Sequence, residues 1–253
     1  MLKLIINADD LGLTPGCNAG IIQGMTKGLV TDTTLMINTD YAEDAVKLLQ
    51  QHKLTRVGLH LNLTYGRPVL NAQEVPSLVD EQGLFRRKAA ATVPLMEAED
   101  INRELRAQVE KFLATGLELS HLDSHHHAHS YPKVLETAIS LAKELNVPIR
   151  QTGLEVREKI KAAGVVTTDW FTTDFYEQGV SVENLQRIIA DHDGGVLEIM
   201  SHPAKEDPML SQVSSYNTCR FKELEVLTGQ EMQTFIEKQG VQLVGFSALA
   251  KLV

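Results

Sequence analysis

A chain of 253 residues with 43% hydrophobic and 23% charged residues can bury a sizeable core, which excludes a disordered or fibrous polypeptide. The formal charge of −9 leaves no basic face for a phosphate backbone, so nucleic acid is not an expected partner. Cys17 and Cys219 lie far apart without CxxC spacing, which excludes a disulfide framework and a thiolate zinc site, and no apolar run approaches a membrane span.

Residues 2–6 form a short apolar run ending in Asn7-Ala8-Asp9-Asp10, the pattern of a buried strand whose carboxyl end opens into a loop. The run meets Asp9-Asp10 too soon to hold a signal h-region, so a cytoplasmic protein with no membrane partner is expected. Pro15-Gly16 then introduces a helix over 17–27, with Ile21, Ile22 and Met25 at helical spacing and Gly28 as the stop. A strand over 33–37, a helix over 41–51 and a strand over 56–63 follow. Between 64 and 94 the pattern lapses, with Gly66, Pro68, Pro76 and Gly83 around a basic Arg86-Arg87-Lys88. A loop of this length is either a lid or binding loop or a mobile surface insertion.

An amphipathic helix over 97–114, with Ile101, Leu105, Val109 and Phe112 on one side, leads into strand-like Leu117-Glu118-Leu119. The spacing then predicts a helix over 131–145, a short strand over 147–150, a helix over 156–163 and a strand over 165–171. A helix over 182–191, a strand over 196–200, a helix over 221–239 with Gly229 inside it, and a strand over 241–246 complete the chain. Such alternation predicts parallel strands joined by crossover helices. The eight strand candidates match a closed (β/α) barrel, and an open doubly wound sheet fits the same alternation. No linker or repeat divides the chain, so residues 1–253 are read as one domain.

In either architecture the active site lies beyond the carboxyl ends of the strands, so polar residues closing apolar strands are informative. Asp9-Asp10, His60-Leu61-Asn62 and Ser201-His202-Pro203 are three such endings. Each alone has an ordinary reading: a turn or helix cap for the aspartates, a hydrogen-bonded core residue for His60, a turn for His202. The fourth ending is the stretch His121-Leu122-Asp123-Ser124-His125-His126-His127-Ala128-His129, which holds five of the nine histidines. Continued as an extended strand, it places Asp123, His125, His127 and His129 on one face, a row of metal-ligand candidates with Asp123 on the side of His125.

At these residues the chain resembles the YdjC family of carbohydrate deacetylases. The resemblance rests on Asn7-Ala8-Asp9-Asp10-Leu11-Gly12, Gly58-Leu59-His60-Leu61-Asn62-Leu63-Thr64, the stretch from His121 to His129, and Glu198-Ile199-Met200-Ser201-His202-Pro203. It implies an irregular (β/α) barrel of seven to eight mainly parallel strands related to polysaccharide deacetylases. It also implies one divalent metal ion, magnesium or zinc, and hydrolysis of an N-acetyl group from an amino sugar or short chitooligosaccharide. Carried over by position, Asp10, His60 and His125 are the metal ligands, Asp9 the general base and His202 the general acid. Leu11 stands where many members have an aromatic residue.

The remaining residues divide less sharply. His127 and His129 fit either the surroundings of the ligands or the sugar pocket. Arg150, together with Arg67, Arg86, Arg87 and Lys88, offers a guanidinium or ammonium group should the substrate be a phosphorylated sugar. Two other functions remain open: a metal-dependent phosphoesterase, which often uses two metals with bridging carboxylates, and a sugar-binding protein without turnover. A homodimer is the default assembly of a soluble enzyme.

Overall fold

A computed structural model of the chain describes residues 1–251. Seven strands, β1 (Lys3–Leu11), β2 (Asp32–Leu35), β3 (Arg56–Leu61), β4 (Glu118–Ser124), β5 (Trp170–Thr172), β6 (Val196–Ser201) and β7 (Gln242–Leu243), pair in parallel in the order β4-β3-β2-β1-β6-β5. The short β7 pairs with Lys3 and Leu4 of β1, below the point where β2 begins its own pairing at Asn7.

Two irregular segments join β4 to β5 and β6 and close the sheet into a barrel. Leu122 donates to the Pro148 carbonyl at 3.0 Å and accepts from Arg150 N at 2.9 Å; Ile149 N donates to Val166 O, and Asp169 N to Val196 O. The strand expected over 147–150 is thus a single bridge between Leu122 and Ile149, because Pro148 has no N–H to continue a ladder. The strand expected over 165–171 is displaced to Trp170–Thr172.

Alternation along β1 and β6 builds the rest. Leu4, Ile6 and Ala8, with Leu197 and Ile199, join the large apolar cluster that packs the helices, while Ile5 and Val196 belong to a separate cluster with Phe246 and Leu249. Above that inner floor the barrel is filled by polar side chains: Asn7, Asp9, Thr34, His60, Asp123 and Glu198 are all buried and linked directly or through Arg150. Gly58 makes room for one of them. A Cβ there would lie 2.5 Å from His121 Cε1 and 2.6 Å from Thr34 Cγ2. His121 stacks on Phe246 with ring centroids 3.7 Å apart, and Phe246 N donates to Asp32 at 2.9 Å, so the carboxyl-terminal 3-10 segment Phe246–Lys251 covers the amino ends of the strands.

Most helices fall where the apolar spacing places them. Thr14 caps Pro15–Lys27 by accepting from Cys17 N, and Ser181 caps Val182–Ala190 by accepting from Asn184 N. The single helix expected over 221–239 is two, Thr218–Thr228 and Gln230–Gln239, because Gly229 takes an extended conformation (φ −71°, ψ 138°). The irregular stretch after β3 is anchored to the helix Ala98–Leu113. Glu104 accepts from Val69 N and Leu70 N, Asp100 accepts from the backbone and hydroxyl of Ser77, and Val75, Leu78, Val79 and Phe85 are buried. No described helix is long and apolar enough to cross a membrane.

Candidate active site and metal centre

The carboxyl ends of β1, β3, β4 and β6 open into one cavity of about 570 Å³, within the ~300–1,000 Å³ typical of small-ligand pockets. Asp9, Asp10, His60, His125, His127 and His202 all line it. At its floor, one ligand atom each from Asp10, His60 and His125 lie within 4.8 Å of one another. Asp10 Oδ1 is 2.9 Å from His125 Nδ1 and 3.4 Å from His60 Nε2, and Asp10 Oδ2 accepts from Arg220 Nη2 at 2.7 Å.

Local backbone geometry aims these groups. Asp10 has φ 67°, a left-handed conformation uncommon outside glycine, which lets consecutive aspartates face different partners. The histidine stretch does not continue as a strand: β4 ends at Ser124, and His125–Ser130 is a 3-10 segment with His126 (φ 52°) and His127 (φ 50°) left-handed. The expected alternation therefore stops at Ser124, and Asp123 serves His60 instead of His125, with Nδ1 donating to Asp123 Oδ1 at 2.7 Å. Thr34 holds the same carboxylate by donating to Oδ2 at 3.0 Å.

Two expected substrate contacts are not available. Arg150 is fully buried; it grips both oxygens of Asp9 at 2.6 and 2.7 Å, reaches Asp123 Oδ2 at 2.8 Å and donates from Nε to Glu198 at 2.6 Å. His129 is equally buried, donating from Nε2 to the Arg150 carbonyl and accepting from Ser124, and that burial lowers its pKa to about 3. Both are committed to holding the site together. His127 remains at the cavity, edge-on to Phe171. Of the basic residues in the irregular stretch, Arg87 lines the rim over the Tyr65 ring, whereas Arg67 and Arg86 donate to the carbonyls of Gln82 and Ser77.

Electrostatics separate the roles. Burial alone would raise the pKa of Asp9 and of Asp10, but Arg150 beside the first, and Arg220 with His125 beside the second, outweigh it and hold both carboxyls below the usual range. Burial should likewise depress His60, yet Asp123 and Asp10 overcome it and push the imidazole up to about 10. The floor thus demands positive charge at His60, a demand a divalent cation meets as well as a proton does, and two imidazoles with a carboxylate are a donor set such cations accept. The residues fit a metal ion. His202 differs: burial, with Arg220 nearby, lowers it to about 3, and its ring stands edge-on to Tyr176 and Tyr216, which stack on each other with centroids 4.0 Å apart. Glu223 fixes the backbone there, accepting from His202 N and from the Tyr216 hydroxyl.

Several of these residues carried no readable signal. Arg220, Glu223, Tyr176 and Tyr216 sit in segments of ordinary composition, and only the fold brings Arg220 and the two tyrosines to the cavity and Glu223 to His202 N and the Tyr216 hydroxyl. Glu198 was detectable in principle as a lone charge inside an apolar strand.

A parallel (β/α) barrel with a carboxylate–imidazole cluster and a second acid at the carboxyl ends of its strands defines a metal-dependent hydrolase. The chain belongs to the YdjC-like protein family, whose model matches residues 3–238. It is 44% identical over 250 residues to a carbohydrate deacetylase of Brevibacillus brevis, covering 98% of this chain and 100% of that one. A carbohydrate deacetylase of Thermoanaerobacter pseudethanolicus is 37% identical over 249 residues with the same coverage. A solved structure from Enterococcus faecalis V583, described only provisionally as a cellobiose-phosphate cleavage protein, superposes with a TM-score of 0.92 at 34% identity over 98% of both chains. The Xyl-CE4 domain of a multidomain xylanase from the hindgut metagenome of Trinervitermes trinervoides shares the fold, with a TM-score of 0.54 at 11% identity over 99% of this chain and 90% of that chain.

Proposed function

We propose that this chain is a metal-dependent carbohydrate deacetylase that removes the N-acetyl group from an acetylated amino sugar or short chitooligosaccharide and releases acetate. The observation that carries the reading is the convergence of Asp10, His60 and His125 at the cavity floor with a second acid, Asp9, next in the chain. Asp10, His60 and His125 would hold one divalent ion, and the imidazole pair suits zinc better than magnesium, which prefers oxygen donors. When bound, such an ion supplies Lewis acidity, polarising a carbonyl and lowering the pKa of water.

Asp9 is the general base. Arg150 fixes its plane and keeps it ionised, and Asn7 donates to Oδ1 at 2.8 Å, so the carboxylate is oriented before substrate arrives. His202 is the general acid. Its ring is neutral at rest and takes a proton from solvent as negative charge develops on the reacting acetyl group beside it, passes that proton to the departing amine, and Asp9 returns the proton taken from water to solvent. Tyr65, Tyr176 and Tyr216 wall the cavity as flat surfaces suited to a sugar ring. Arg87 at the rim offers a partner for a phosphorylated sugar, in line with the provisional description of the Enterococcus faecalis relative.

The test is acetate release from acetylated mono- and disaccharides, with and without a 6-phosphate, by metal-loaded and chelator-treated protein. Metal-dependent acetate release is expected. Phosphate release without acetate would replace this reading with a phosphoesterase. Sugar binding without either product would replace it with a non-catalytic sugar binder. We further place the protein in the cytoplasm as a homodimer, which fractionation and light scattering test.

A further inference from the structure

Trp170, the only tryptophan of the chain, opens β5 and is 48% exposed, whereas the next residue, Phe171, turns inward to His127 and Arg150. The indole therefore stands on the outer side of the barrel, away from the catalytic cavity. Two neighbouring elements brace it. Arg157, on the helix Leu154–Ala162, sets its guanidinium carbon 6.0 Å from the ring centre and donates to the Asp169 carbonyl at 3.2 Å. His192, just beyond the helix Val182–Ala190, meets the ring edge-on at 5.5 Å and donates from Nδ1 to the Ile188 carbonyl at 2.9 Å. With Asp169, Asp191 and Asp193 these residues line an open cleft of about 520 Å³. A scattered exposed apolar side chain needs no explanation, but an aromatic ring held in a cleft is a flat, rigid surface for a ligand with one apolar face.

The polar groups of the cleft set the rest of the ligand. Asp191 and Asp193 are both exposed, and only one oxygen of Asp191 is engaged, by Arg187 at 2.9 Å. His192 spends Nδ1 as a donor, which leaves Nε2 of the neutral ring as an acceptor. The one cation of the cleft, Arg157, is turned to the indole and the Asp169 carbonyl. A cleft so rich in acceptors repels phosphates and carboxylates and selects a ligand rich in donors. A sugar with a free amine matches it: the C–H face of the ring on the indole, hydroxyls on His192 and the carboxylates, and the ammonium group beside Asp191 and Asp193. We propose that this cleft is a second saccharide site, binding chains that carry free amino groups, the form left when an acetyl group has been removed. The choice of an amino sugar rests on the deacetylase reading. The catalytic cavity, which Thr173 lines further along the same segment, lies on the other side of β5, so the cleft would hold chains that the cavity has already acted on.

With a single tryptophan in the chain, the intrinsic indole fluorescence of the chelator-stripped full chain reads this cleft directly. The probes are the β-1,4-linked glucosamine disaccharide, its doubly N-acetylated counterpart and maltose. The glucosamine disaccharide is expected to give a saturable change and to bind about five- to tenfold more tightly than the other two, the scale of an exposed ion pair added to a cation–aromatic contact. That preference should shrink as salt is raised. Asp193→Asn, a change at exposed surface, should remove most of the preference while acetate release by the metal-loaded protein stays at the parent rate. Trp170→Ser, followed by calorimetry, should lose the binding. Equal affinity for the amine and acetylated disaccharides overturns the inference, as does an Asp193→Asn protein that binds as the parent does. No saturable change in the parent, with a dimer that Trp170→Ser splits in light scattering, overturns it by making the indole a subunit contact. Amine-selective binding by a protein that releases no acetate supports the cleft and overturns the deacetylase reading instead.

Discussion

His60 Nδ1 lies 2.7 Å from Asp123 Oδ1, a contact between adjacent strands with both side chains buried. It fixes the imidazole tautomer and turns Nε2 toward Asp10, so Asp123 would act on a bound ion through His60. Asp123→Asn is expected to weaken metal affinity by ~10–100-fold, the usual effect of losing a partner of a ligating histidine. Metal titration of the folded variant checks it, and an unchanged affinity would remove Asp123 from the centre.

The ligand and proton-transfer roles separate by mutation. His60→Ala and His125→Ala are expected to lose both bound metal and activity. Asp9→Asn and His202→Ala should keep the metal and lose turnover by ~10²–10⁴-fold, the usual contribution of a positioned acid or base. If Asp9→Asn loses the metal while Asp10→Asn retains it, the two aspartate roles are reversed. The ligand assignment is falsified if metal-saturated His125→Ala deacetylates substrate at the parent rate.

Metal binding should depend on pH with a defined sign. Carboxylates push the metal-free His60 up to about 10, so at neutral pH one proton must leave as the ion enters. The dissociation constant is expected to rise about tenfold for each unit the pH falls between 8 and 6. Calorimetry in buffers of different ionisation enthalpy measures the released proton directly, and a pH-independent affinity would show that His60 binds metal without giving one up.

Gly58→Ala would push a methyl group into His121 and Thr34 one residue before Leu59 and two before His60. Overpacking of this kind typically costs ~1–3 kcal/mol. Denaturant unfolding should record that loss, accompanied by weaker metal binding, because Thr34 also bonds Asp123. Parent-like stability would mean that His121 relaxes away from its stack on Phe246.

At the barrel floor, burial raises Asp32 to about 7 although Phe246 N, Thr33 N and Ser120 donate to it. A folded-state pKa above the unfolded value stabilises the fold fully below pH ~4, and the contribution is lost as pH rises through about 7. Asp32→Asn lacks this term, so its stability relative to the parent should improve by up to a few kcal/mol between pH 4 and 8. Paired denaturation curves across that range test it; a constant difference would mean that Asp32 titrates normally.

The sequence by itself determined the β/α alternation and the polar strand endings, and its resemblance to the YdjC family implied the barrel and the residues that meet at the cavity floor. Apolar periodicity records which face of each element is buried, and Asp9-Asp10, His60, the histidine stretch and His202 all close strands whose carboxyl ends must share one rim. Only the tertiary structure decided how those side chains are partnered. Spacing could not tell that His125 begins a 3-10 turn, that Asp123 therefore turns to His60, or that Arg150 and His129 are buried supports. Those outcomes depend on contacts between residues as far apart in the chain as Asp9 and Arg150, or Asp10 and Arg220, and local sequence pattern carries no information about which distant charge will fill a buried space.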